Sequence, residues 1–413
     1  MSHEDEHSGL QPPLPSNYRL PPVVQPNWRP RDLWQCRAAG LREDLAQRLC
    51  EQYGVRHCLL LDRARSGLYL LCRAFGLEGE WITSSMMHRP SCVVLKQHCA
   101  GLALADVDAD LTLDPGSAAD LIGADSCAIL ATHLYGKCAD LAALRALADR
   151  HGIVLIENAV HMAGHIDACG PGGAWRIGSV ADATLLSFNI DKPLGAMLGG
   201  ALLTSRDDIW EAVSRWPLGP ANTREAWERI ARTYAAYRLK PLLLRLPGFA
   251  RHRRAADGIA EIASFSDQQY RHYSARDIHP LQAAAALCCS RRESRIVAAR
   301  RRNARQLSQA LDGCPGLGLP SDTPERPHAY TYFPLILRQG QRFELGRRLA
   351  TAGIESKWRY YPLHLQPGFD SCRHADLTHT EGLWRQHLLV PTGATTDSRQ
   401  IDYLGECLRA ALA

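Results

Sequence analysis

Lys192 lies in the middle of LLSFNIDKPLGAMLGGALLT (185–204), between two apolar segments that both read as buried strands. A lysine among buried residues is costly unless it is paired, shifts its pKa, or becomes something other than an ammonium. The alternative is a lysine at a loop tip pointing into water, as most lysines do. A second position with chemical promise is Asn158, at the end of the apolar run IVLIEN (153–158). In open α/β sheets ligands gather at the carboxyl ends of strands, so this side chain is expected to face a bound molecule.

The elements that must hold these residues are legible in outline. The chain has 413 residues, which suggests two domains or one large domain with a smaller partner. HCLLLD, CAILATHLYG (127–136), IVLIENA (153–159), ATLLSFNI and GGALLT read as strands, and CADLAALRALADRHG as a helix stopped by glycine. Strands apolar throughout, alternating with helices, predict a parallel sheet covered on both faces. After an Arg-rich insert at 215–262, a helix is expected over 280–311, then strands in AYTYFPLIL (329–337) and IESKWRYYP, with helices at RFELGRRLATAG and the C-terminus. The expected organisation is an N-terminal arm over 1–30, flexible or extended, a large α/β domain over 31–262 and a smaller α+β domain over 263–413.

Composition narrows the function classes. A formal charge of +5 is slight for this length, and no basic-aromatic array accompanies it, so nucleic acid is not the expected partner. No apolar run of 18 or more residues predicts a membrane span. The polar, proline-rich N-terminal stretch has no apolar core of a secretory signal. The 14 cysteines show no CxxC and no Cys/His metal spacing, and read as reduced thiols of a cytoplasmic protein.

Ser187, Phe188, Lys192, Gly199 and Gly200 form a pattern, Ser-Phe-x-x-x-Lys then Gly-Gly and an apolar strand, that resembles the lysine segment of the DegT-like sugar aminotransferases. HLYGKCADLAALRALADRHGIVLIENAVHMAG, DIHPLQAAAAL and GIESKWRYYPLHLQP resemble further segments of that family, in its order, so the likeness spans roughly residues 40 to 410. The resemblance implies the pyridoxal-phosphate (PLP) transferase fold of type I, a large domain with a mostly parallel sheet and a smaller α+β domain. It implies that Lys192 carries PLP as a Schiff base and afterwards moves the substrate's Cα proton. It also implies a homodimer.

By the same resemblance the turn DRARSGLYLL supplies the phosphate cradle, with Ala64 and Arg65 in the places of glycine and threonine, and Arg65 or Ser66 as the side-chain contact. Ser187 is a second phosphate contact, and His88 takes the place of the ring that stacks on the pyridine, or is a solvated loop histidine. The family's Glu-Asp-Ala-Ala-Gln is here Glu157-Asn158-Ala159-Val160-His161. Asn158 therefore faces the pyridine nitrogen without a charge to keep it protonated, which weakens the electron sink. His161 reaches the phenolic oxygen or the substrate, or is a core histidine bonded to a carbonyl. Arg359 and Tyr360 lie near the substrate, where Arg359 meets a phosphate or carboxylate.

The implied function is PLP-dependent amino transfer from an amino-acid donor to a keto substrate, a nucleotide-linked keto-sugar. Asn158 keeps a second PLP reaction of a specialised biosynthetic pathway open, and a PLP-binding protein without turnover is a third reading. The insert at 215–262 is either a helical flap with solvated arginines that contacts a second subunit, or a basic surface for a membrane or an anionic substrate.

Overall fold

The computed structural model describes residues 10–24, 26–162, 176–235, 267–270, 272–338 and 340–412. Residues 236–262 of the Arg-rich insert, including most of its arginines' expected surface, lie outside the described residues.

Ten strands are described: β1 (His57–Leu61), β2 (Glu80–Ser84), β3 (Gly101–Ala105), β4 (Ser126–Thr132), β5 (Val154–Asn158), β6 (Ala183–Ser187), β7 (Gly200–Thr204), β8 (Phe333–Ile336), β9 (Arg373–His374) and β10 (His387–Val390). Eight of them form one sheet in the order β1-β7-β6-β5-β4-β2-β3-β9, and β10 pairs with β8 in a second. In the large sheet only β7 runs against its neighbours. Its central strands are apolar along most of their length because both faces are covered. Ile82, Ile129 and Leu155 pack with Leu144 and Leu147 in one core cluster. Their chain neighbours Trp81, Leu130 and Ile156 turn to the opposite cluster, with Leu68, Leu71 and Val94. This is the two-residue alternation of a strand, with an apolar partner waiting on each side.

Local signals set the helix ends. Asp140 accepts a hydrogen bond from the Ala143 N–H at 3.0 Å and starts Leu141–His151, which Gly152 ends at φ +64°. The Gly199-Gly200 pair has a positional reason. Gly199 sits at φ +116°, and a Cβ on Gly200 would run into the backbone of Ala64. Glycine here lets β7 lie against the turn that opens helix Ala64–Arg73.

The C-terminal part closes over this frame. Helix Pro280–Ser290 is buried along its whole length and packs with Leu41, Leu45 and Leu49. Helices Glu293–Leu311 and Ser398–Leu412 enclose a separate core with β8 and β10 around Leu307, Phe333 and Leu404. The N-terminal stretch is extended and docked over its described part. Tyr18 donates to Glu355 at 2.9 Å, Trp358 Nε1 donates to the Leu10 carbonyl at 2.9 Å, and Leu20, Val23 and Val24 are buried.

Three local expectations change. The segment IESKWRYYP is not a strand: it makes a single bridge, Lys357 to Leu389, and Tyr360 at φ +63° interrupts the extended chain. In AYTYFPLIL the strand shrinks to Phe333–Ile336, since Tyr330 stands at φ +50°. The helix over 280–311 is two helices, broken at Arg291 and Arg292, where Arg292 reaches back to the buried Asp32 with two hydrogen bonds of 3.0 and 2.6 Å. Among the described residues no helix is long and apolar enough to cross a membrane.

Candidate active site

The carboxyl ends of β5 and β6, the start of β7 and the N-terminus of helix Ala64–Arg73 surround a cavity of about 300 Å³, at the lower end of small-molecule sites. Asn158 comes from the end of β5. Its neighbour Glu157 points to the other face of the sheet, where His133, the Gly178 N–H and the Thr184 hydroxyl bond it at 2.7–2.8 Å. That fully paired carboxylate pins the strand end, and the two-residue period then turns Asn158 into the cavity. Asn158 Nδ2 donates to Thr132 Oγ1 at 3.1 Å, and Thr132 in turn donates to the Met87 sulfur at 3.2 Å. The amide's donor is thereby engaged by protein.

Lys192 follows β6 in the loop to β7. It is 6% exposed and lines the cavity. Its Nζ lies 2.6 Å from His161 Nε2 and 3.4 Å from Asp191 Oδ2. Burial first, and then the Lys192 cation, push the His161 pKa well down, so this imidazole is neutral and accepts at Nε2. The Tyr360 hydroxyl stands 3.2 Å from the same nitrogen. The proton of the neutral ring then falls on Nδ1, which is buried without a partner.

Asp191 is 5% exposed and bonded to Arg359 Nη1 at 2.8 Å and to the Tyr332 hydroxyl at 2.5 Å. Burial alone would raise its carboxyl. Lys192, Arg359 and the Tyr332 hydrogen bond outweigh that and hold it well below the usual range. Arg359 is positioned by backbone as well: its carbonyl accepts from Tyr135 at 3.0 Å, and Tyr135 also bonds His387 at 2.9 Å. Tyr135 and Tyr360 both hold positive φ, at 56° and 63°, a strained conformation for tyrosine that the packed network enforces.

At the helix N-terminus Ala64 and Arg65 line the cavity, and so does Ser187. Ser66 does not. It is fully buried, donating to Asp62 at 2.6 Å and sharing a 2.7 Å bond with Tyr273. Arg65 lies over the Tyr270 ring, 5.3 Å from its centroid, with its Nε buried and unpaired. His88 stands on the wall at the start of helix Arg89–His98, bonded to Ser91 at 3.0 Å. Its ring is exposed at the cavity mouth, and the protein around it, with Arg65 and Lys192 nearby, pushes its pKa down. The neutral form suits a stacking face.

The sequence candidates thus converge, apart from Ser66, with His161 just behind Lys192. Sequence reasoning missed Asp191, Arg63 and Arg229, all of which line the cavity. Asp191 had a signal, a carboxylate next to the key lysine in a buried loop. Arg229 belongs to helix Thr223–Tyr234 inside the insert. Burial lowers its pKa, as do Arg63, Arg232 and Arg65 nearby, whereas Arg63 is paired with Glu225. Arg229 is itself exposed, like several of its helix neighbours, and no periodicity marks it.

Residues 39–409 match the DegT/DnrJ/EryC1/StrS aminotransferase family. A dTDP-3-amino-3,4,6-trideoxy-alpha-D-glucose transaminase of Micromonospora megalomicea subsp. nigra is 30% identical over 181 residues, 42% of this chain and 46% of that protein, so the match spans under half of that relative's length. The erythromycin biosynthesis sensory transduction protein EryC1 of Saccharopolyspora erythraea is 30% identical over 312 residues, 72% of this chain and 69% of the relative. Among solved structures, that of DesI in the presence of its TDP-sugar product superposes with a TM-score of 0.72 at 23% identity, covering 96% of this chain and 94% of that one. The chain belongs to the DegT/DnrJ/EryC1/StrS aminotransferase family.

Proposed function

We propose that the cavity holds PLP, joined to Lys192 as a Schiff base, and that the protein moves an amino group from an amino-acid donor to a nucleotide-linked keto-sugar. The observation that carries this reading is the buried Lys192 amine, in a cavity at strand ends, 2.6 Å from a neutral histidine nitrogen. The residues present fit the cofactor. Ala64 and Arg65 open a helix on the cavity wall, where first-turn N–H groups have no intrahelical partner, Arg65 brings an unpaired guanidinium nitrogen, and Ser187 adds a hydroxyl, together a cradle for a phosphate. Neutral His88 offers a ring to stack on, and Asn158 an amide carbonyl for the pyridine edge.

When bound, PLP supplies an electron sink and a carrier for the amino group. The rest is done by this chain. Lys192 Nζ takes and returns the proton at the substrate's Cα, and His161 orients that amine through Nε2. Arg359, on the cavity wall, meets an anionic group of the substrate, and Tyr360 sets the distance between that group and Lys192. The sugar-nucleotide substrate class rests on the relatives, one a dTDP-amino-sugar transaminase and another solved with a TDP-sugar product. The reading extends to a homodimer, for which the exposed Trp34 and Trp227, 86% and 57% accessible, offer apolar surface to cover. It takes the cytoplasm as the compartment, where the buried free thiols of Cys72, Cys92 and Cys289 stay reduced.

The test is spectroscopic. The purified protein should show the visible band of lysine-bound PLP, which L-glutamate should bleach and a nucleotide-linked keto-sugar restore. A band indifferent to every amine would contradict amino transfer.

A further inference from the structure

Two carboxylate questions meet in this cavity. At the end of β5 a neutral amide, Asn158, stands where the cofactor's ring nitrogen is proposed to lie. Beside the lysine nitrogen, a buried carboxylate stands that the proposed chemistry does not use. Asp191 Oδ2 is 3.4 Å from Lys192 Nζ, and its Oδ1 is buried with no partner, an acceptor without a donor.

We propose that Asp191 is the counter-ion of the nitrogen that Lys192 contributes to the bound cofactor, keeping the proton there and placing at the imine end the negative charge that Asn158 withholds at the ring end. The proposal rests on the PLP reading above. A carboxylate within about 4 Å of a buried nitrogen cation favours the protonated form. A carboxylate here would hold a proton at the lysine nitrogen once the cofactor is bound, and so would compensate for a weak ring-nitrogen charge.

The groups that face the lysine nitrogen set the sign. His161, following β5, is neutral and accepts. Tyr360 approaches His161 from the segment before Pro362, and His88 and Arg65 stand on the wall, while Arg359, Tyr332 from just before β8 and Arg300 from helix Glu293–Leu311 act on Asp191. Among these cations Asp191 is the carboxylate: Lys192 and Arg359 both act on it directly, and Arg300 from behind. Arg359 also shares Asp191 Oδ2 with Lys192. A substrate anion that draws Arg359 away leaves that oxygen to the lysine nitrogen and the Tyr332 hydroxyl, with no second cation competing for it. Substrate binding would then raise the proton affinity of the nitrogen that Lys192 contributes.

The test is a pH titration of the visible band in the cofactor-loaded protein and in Asp191→Asn, with Asp191→Ser as a second neutral variant should the amide not be accommodated. The neutral variants should show the midpoint displaced downward by about one to two pH units, and Asp191→Glu should stay within about half a unit of native. A neutral variant that carries the band with an unmoved midpoint overturns the proposal and leaves the PLP reading standing. A native protein with no such band overturns both.

Discussion

The Nζ of Lys192 and the Nε2 of His161 are 2.6 Å apart, inside a wall where neither has free access to bulk water. Two nitrogens this close share one proton, so one must be the acceptor. Burial and the neighbouring cations make that acceptor His161. The pair is therefore an amine held in one direction, with its proton already engaged.

Replacing His161 by Phe removes the acceptor and keeps the volume. The half-reaction with L-glutamate, followed in the visible band, should slow by about 10²-fold, while the protein still binds PLP. Replacing it by Gln, which can accept through its carbonyl, should recover part of the rate. Equal rates in native and Phe proteins would show that the contact does not orient the amine.

Asn158→Asp should raise protonation of the cofactor's ring nitrogen, because a carboxylate within hydrogen-bond reach favours the pyridinium by more than about 1 kcal/mol in a partly desolvated site. Nitrogen NMR of labelled PLP in both proteins reads this directly. The native side chain gives one amide N–H to Thr132 at 3.1 Å and the other to the Met87 sulfur at 3.8 Å, so its carbonyl, an uncharged acceptor, is what remains for the ring. A ring nitrogen already fully protonated in the native protein would show that another group supplies the charge.

Much of this arrangement was legible in residue order. The all-apolar strands gave the parallel sheet, since only a sheet covered on both faces needs them, and Lys192 stood out because its flanks had to be buried. What the sequence hid were features set by long-range contacts. Ser66 reads as a free hydroxyl until Asp62 and Tyr273 are seen to hold it. The 354–362 segment has strand composition, yet Tyr360 turns to positive φ so that its hydroxyl reaches His161. Arg229 is one arginine among many in its insert, and only the packing of helix Thr223–Tyr234 against Arg63 brings it to the cavity.

Away from the cavity, Glu293 accepts from Tyr53 at 2.8 Å while its other oxygen is buried without a partner. Burial pushes its pKa up to about 8, against the pull of Tyr53 and Arg48. The folded protein therefore holds a proton that the unfolded chain releases above about 4.5. Stability from this group is complete below the unfolded value and is lost as pH rises toward the folded one. Glu293→Gln, neutral at every pH, should remove that decline. In urea unfolding the native protein should lose ground to the variant between those two pH values, by on the order of 1.4 kcal/mol per pH unit at most. Parallel stability curves would contradict a protonated Glu293.

The account stands on the fate of one amine. Borohydride reduction of the purified, PLP-treated protein, followed by proteolysis and mass spectrometry, fixes any Schiff base in place. The predicted result is a pyridoxyl group on the peptide that contains Lys192, and none on that peptide in Lys192→Ala. Label on another lysine, or no label at all, would contradict it.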